Sequence, residues 1–143
     1  MNTSLQNFDQ QEIENRIFTI RDVQVMLDGH LAEMYGVDTK VLNQAVKRNV
    51  DRFPESFRFQ LTEVELSNSR SQFVTLKQGQ NIKYLPMAFT AQGVAMLSSA
   101  LNSKHAISVN IQIMRLFTKL RIIAADTTEL KLEIEQIKKK ISN

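Results

Sequence analysis

From Lys104 to Ile141 the sequence contains neither proline nor glycine. Such a stretch predicts one continuous helix, a rod of roughly 55 Å at 1.5 Å per residue. Along it, Leu116, Leu120, Ile123, Thr127, Leu130, Ile134, Ile137 and Ile141 recur at spacings of four and three without a slip. This is a heptad seam, with Leu120, Thr127, Ile134 and Ile141 at a and Leu116, Ile123, Leu130 and Ile137 at d. The g positions Asp126 and Glu133 face the e positions Lys131 and Lys138 of a parallel partner, whereas an antiparallel pair sets Lys against Lys. The expectation is a parallel homodimer sealed over 116–141. The alternative is an amphipathic helix packed on its own domain, which Ile122 and Leu132, apolar but off the seam, would suit. Upstream, Val109, Ile111, Ile113, Met114 and Phe117 nearly encircle the helix, so that stretch is expected to be buried in the body or at the dimer interface.

The rest of the chain must supply a folded body. With 43% apolar and 23% charged residues over 143 positions, one ordinary globular domain is expected. There is no cysteine, which excludes disulfide scaffolds, thiolate metal sites and cysteine nucleophiles. No apolar run reaches the 18 residues a membrane span needs. The acidic leader MNTSLQNFDQQEIEN is the reverse of a signal peptide, and a cytoplasmic protein is expected. The net charge of +3 is unevenly spread: residues 16–125 hold fourteen Lys and Arg against eight Asp and Glu. A basic body between an acidic leader and a neutral tail is the electrostatic footprint of a polyanion binder.

Local signals then set the elements. Ile17–Ile20 and Val23–Met26 read as a hairpin about Arg21-Asp22. Asp28 is expected to cap a short helix that Gly36 stops, and Asp38 to cap a second one, TKVLNQAVKRNV. Phe57, Phe59 and Leu61 alternate with polar residues as a half-buried strand should. Thr62 to Glu65 form a capping box. Gln72–Leu76 and Ile82–Met87 flank KQGQN as a second hairpin, whose return strand Pro86 assigns to a sheet edge. Thr90 and Ser103 are expected to cap the last two helices. Helices and short antiparallel strands intermix without a βαβ rhythm, so the fold class is α+β. The expected division is a polar leader (1–15), a body (16–103) and the long helix (104–143).

Residues 28–48, DGHLAEMYGVDTKVLNQAVKR, carry the pattern of a helix-turn-helix. Ala32 is small where the helices touch, Gly36 permits a left-handed turn, and Val37 seals the corner. The outward face of the second helix then carries Thr39, Lys40, Asn43, Gln44, Lys47 and Arg48. Amides can pair adenine bidentately and lysine can donate to guanine, so Thr39, Lys40, Asn43 and Gln44 are expected to read bases. Lys47, Arg48 and Arg52 are expected on phosphates, as are Lys77 and Lys83 at the rims of the KQGQN hairpin, which fits a wing. A solvated helical hairpin and a plain β-turn are the bland alternatives.

These segments in order, VMLDGHLAEMYGV with TKVLNQAVKRN, RFPESFRFQLT, SRSQFVT, YLPMAFTAQGVAMLSS and AISVNIQIMR, resemble the ORF-six N-terminal domain family. That family is a phage and bacterial DNA-binding module related to KilA-N and found at the front of phage antirepressors. The resemblance covers about residues 16–121. It implies a winged helix-turn-helix-like domain, duplex DNA as partner and a regulatory setting in a prophage or mobile element. No cofactor, metal or catalysis is expected. His30 and His105 lack metal-ligand company, and no phosphate-cradling or nucleophile motif occurs. His30, one turn into its helix, is a candidate phosphate contact. The leading expectation is a non-catalytic, dimeric DNA-binding regulator. The alternative is an antirepressor or adaptor whose seam captures a partner protein's helix.

Overall fold

The computed structural model describes residues 8–69, 85–101 and 103–142. Their order is α1 (Gln10–Glu14), β1 (Ile17–Ile20), β2 (Val23–Leu27), α2 (Asp28–Tyr35), α3 (Thr39–Arg48), a 3-10 turn (Val50–Arg52), β3 (Arg58–Gln60), α4 (Glu63–Asn68), β4 (Met87–Thr90), α5 (Ala91–Leu101) and α6 (Lys104–Ser142). The fold is α+β, as expected. The four strands form an antiparallel sheet in the order β1-β2-β4-β3.

The β1–β2 hairpin turns at Arg21 and Asp22, both left-handed at φ 56° and 60°. A two-residue turn that matches strand twist needs positive φ at both positions. Arg21 then reaches 44 positions along the chain to grip Glu65 of α4 with two hydrogen bonds of 2.7 and 3.0 Å, its guanidinium lying over the Phe59 ring. That grip, with the Thr62 capping bonds, holds the Glu65 carboxyl down to about 2.

Successive strand residues point to opposite faces, and the sheet has a core on each. Val25 and Leu27 of β2 and Ala88 of β4 join Phe18, Phe59, Leu61 and Leu66 beneath α4. Met26 and Phe89 point the other way, into the larger core built by α2, α3, α5 and the first turns of α6. Since β4 is bonded to both β2 and β3, the edge position expected of the strand at Pro86 is overturned. Proline lacks only a donor, and Pro86 sits just before β4, where its carbonyl accepts from the Leu61 amide at 2.9 Å. The KQGQN hairpin, with Lys77 and Lys83, lies outside the described residues.

Part of the expected leader belongs to the body: α1 carries a capping box between Asp9 and Glu12, and its Ile13 is buried. Ser103 caps α6 by accepting from the Ala106 amide at 3.0 Å. At the start of α5, Thr90 ends β4 and receives the Gly93 amide at 3.4 Å. In α6 the expected burial from Val109 to Phe117 holds for Val109, Ile113, Leu116 and Phe117, whereas Ile111 is exposed, as is Ile107.

Candidate nucleic-acid interface

The α2–α3 corner is built from its glycine outward. Gly36 is left-handed at φ 74°, its amide donating to Glu33 O at 3.2 Å while Val37 N donates to Ala32 O at 3.0 Å. This double closure satisfies the last carbonyls of α2 and turns the chain in two residues. Ala32 is buried at the crossing and Val37 packs against the core, as the spacing predicts. Leu42 and Val46 anchor α3 from below, both fully buried.

The Asp28 cap is overturned. Leu27 is the N-cap residue, and Asp28 is the first residue within α2, only 2% exposed. Its carboxylate accepts from the Gly29 amide at 2.8 Å and from Asn43 Nδ2 at 2.9 Å. Burial pushes its carboxyl above the usual carboxylate range, opposed by these bonds and by the nearby Arg58 charge. Cap and first-turn positions favour the same acidic residues, so residue type alone does not separate them.

Asn43 is thereby half spent. A bidentate adenine contact needs both the amide nitrogen and the carbonyl oxygen. Here Nδ2 is bound to Asp28, and Oδ1 is buried with no partner. Asn43 is a tie between the two helices, and the bidentate role expected of it is withdrawn. Thr39 is half-buried, while Lys40, Gln44, Lys47 and Arg48 are exposed. These four share the face opposite Leu42 and Val46 with Val41, 47% exposed, an apolar side chain amid polar ones. Arg52 stands off the helix and donates to Ser99 Oγ at 3.3 Å.

Beside the C-terminal half of α3 lies a cavity of about 300 Å³, lined in part by Lys47 and by Arg58 of β3. Arg58 thus brings a second cation next to α3. The alternation of β3 could have flagged it, since Arg58 and Gln60 flank the inward Phe59. His30 is corrected as well. It is 1% exposed, stacks near Phe18 at 5.7 Å between ring centroids, and is held to about 4 by burial and by Arg16. A ring this deep cannot contact phosphate. His105 presents Nε2 to Met34 O at 3.0 Å. No cluster of three or more metal-ligating side chains occurs among the described residues, nor any helix long and apolar enough to cross a membrane.

A buried chain of hydrogen bonds ties this corner to α6. Tyr35 donates its hydroxyl to Asn110 Oδ1, and Asn110 Nδ2 donates to Val94 O at 2.8 Å. Leu116 is in the domain core at 3% exposed and Leu120 is half-buried, so the open seam begins only at Ile123. Ile123, Leu130, Ile134, Ile137 and Ile141 are 44–79% exposed, and every residue from 121 to 141 is exposed. Packing of this half on its own domain is overturned.

Neither a curated protein nor a solved structure matches the chain. Residues 15–100 match the ORF6N domain family, a span that takes in the sheet, the α2–α3 corner and nearly all of α5. The chain belongs to the ORF6N domain family.

Proposed function

We propose that this chain is a non-catalytic DNA-binding protein, a regulator of the phage type with which its family is consistent, reading duplex DNA with α3. The observation that carries this reading is the exposed face of Lys40, Gln44, Lys47 and Arg48 on a helix with no acidic residue, whose other face is anchored by Leu42 and Val46. In the major groove, Lys40 at the helix start and Gln44 at its middle meet base edges, and Val41 offers an apolar contact to a thymine methyl. Lys47 and Arg48, with Arg58 beside them, meet phosphates. The open half of α6 supplies dimerisation, which raises apparent affinity by joining two weak heads.

The test is binding to a duplex as salt is raised. A protein that neutralises several phosphates loses affinity steeply, and Lys47→Ala lowers the log–log slope by about one. Absence of binding to random duplex at low salt overturns the reading. The second reading, an antirepressor or adaptor that captures a partner protein's helix, is favoured by the same bare seam, and survives that outcome.

A further inference from the structure

The apolar stripe of α6 is continuous but only half used. Ala106, Val109, Ile113, Leu116 and Leu120 recur at spacings of three and four and pack into the domain. Ile123, Thr127, Leu130, Ile134, Ile137 and Ile141 carry the same spacing onward and are exposed. The domain therefore lies against the same side of α6 that presents the open seam.

That placement decides how a second copy can bind. Packed helices run 8–10 Å apart. In a parallel pair, residues 104–120 of the second copy would have to pass through the space that α1, α2 and α5 of the first copy occupy against α6. The flanking charges favour the parallel pair, but each exposed ion pair shifts association only about twofold. Overlap of two cores is not a matter of degree, and the expected parallel pairing yields to it. We infer that a second copy of this chain covers the open seam in the antiparallel direction, each tail ending beside the other's domain. The inference rests on the reading of that seam as self-pairing.

The register follows from the heptad. An antiparallel seam stacks a residues on d residues. One register alone uses all six open positions: Ile123 on Ile141, Thr127 on Ile137, and Leu130 on Ile134, each twice by symmetry. In it, Asp126 of each copy lies beside Lys140 of the other, while Lys131 meets Lys131 and Glu133 meets Glu133 on opposite sides of the two-fold axis. The two heads then stand at opposite ends of the rod, with the two Leu120 positions about 36 Å apart at 1.5 Å per residue.

The chain has no cysteine, so single thiols report the direction. The full chain is first sedimented at tens of micromolar. Ile141→Cys is then oxidised alone and in an equal mixture with Ile123→Cys; both sites are exposed, so folding is spared. A sedimenting dimer that crosslinks in the mixture, and not with Ile141→Cys alone, is the expected result. Crosslinking of Ile141→Cys by itself makes the pair parallel and overturns the inference while leaving self-pairing intact. A monomer removes self-pairing itself and gives the seam to another protein. A dimer that crosslinks in neither case moves the interface off the seam, to the groove where Ile107 and Ile111 stand exposed beside α5.

Discussion

Asn43 donates from Nδ2 to Oδ2 of Asp28 across 2.9 Å, joining the middle of α3 to the first residue of α2. The bond fixes the angle between the two helices from inside the corner, and it couples the face proposed to meet DNA to a buried carboxylate.

Asn43→Ala should therefore destabilise the protein with no DNA present. Loss of a bond to a buried charged group costs about 2 kcal/mol. Gln44→Ala, one residue on and exposed, should stay within about 0.5 kcal/mol. The Asp28 carboxyl is already raised, so its charged form opposes folding once pH passes the unfolded value of 3.8. Asn43→Ala removes a bond that favours that charged form, so its cost should be larger at pH 7 than at pH 4. Urea melts of both variants at the two pH values measure this. An Asn43→Ala protein as stable as the wild type would return Asn43 to the reading face.

His30 gives the opposite slope with pH. Held at about 4 against an ordinary 6.5, it binds its proton less readily folded than unfolded. Stability is then full above 6.5 and is lost as pH falls from 6.5 toward 4, by about 3 kcal/mol. Glu65 adds its own loss only below 4.5. His30→Gln lowers stability at neutral pH but should flatten the curve between 6.5 and 4.5. A His30→Gln protein whose stability follows the same pH curve as the wild type would show that the buried ring carries no such penalty.

Two glycines in helices should respond with opposite signs. A Cβ on Gly93 would lie 2.2 Å from the Phe57 carbonyl oxygen, the same oxygen that accepts from the Thr90 amide and hydroxyl. Gly93→Ala should cost about 2 kcal/mol, overpacking outweighing the gain in helix propensity. Gly29 meets nothing within 4 Å, so Gly29→Ala should stabilise by up to about 1 kcal/mol. Thermal melts of the pair give the signs directly.

What the sequence made legible was local. Gly36, the Thr62–Glu65 box, the Arg21-Asp22 turn and the Pro- and Gly-free run each act within a few residues, so neighbours along the chain suffice to read them. What it hid depends on partners far away. Asp28 has the chemistry of a cap, and only the arrival of Asn43 and Met87 makes it a buried tie. Pro86 marks an edge if it lies within a strand, and a strand entry if the strand starts one residue later. For α6, spacing fixed which residues share a side; only the folded body tells which half of that side is already taken.

The two halves of that stripe should answer the same mutation differently. Leu116→Asp places a charge in a site only 3% exposed, beside Ile113 and Phe117 in the large core. Lost burial and an uncompensated charge together exceed about 4 kcal/mol, a large share of the 5–15 kcal/mol that hold a domain of this kind. The far-ultraviolet and melting signals of Leu116→Asp should be those of an unfolded or grossly weakened body. Leu130 occupies the same heptad position two turns of the repeat later and is 57% exposed. Leu130→Asp with Ile137→Asp should leave the domain's melting within about 0.5 kcal/mol per site when measured dilute. It should abolish the dimer in sedimentation and lower affinity for a selected DNA site by about tenfold or more, because two weak heads no longer act as one ligand. If the double variant instead weakened the domain as Leu116→Asp does, the tail would be packed on its own body in solution. The head would then have to bind DNA alone.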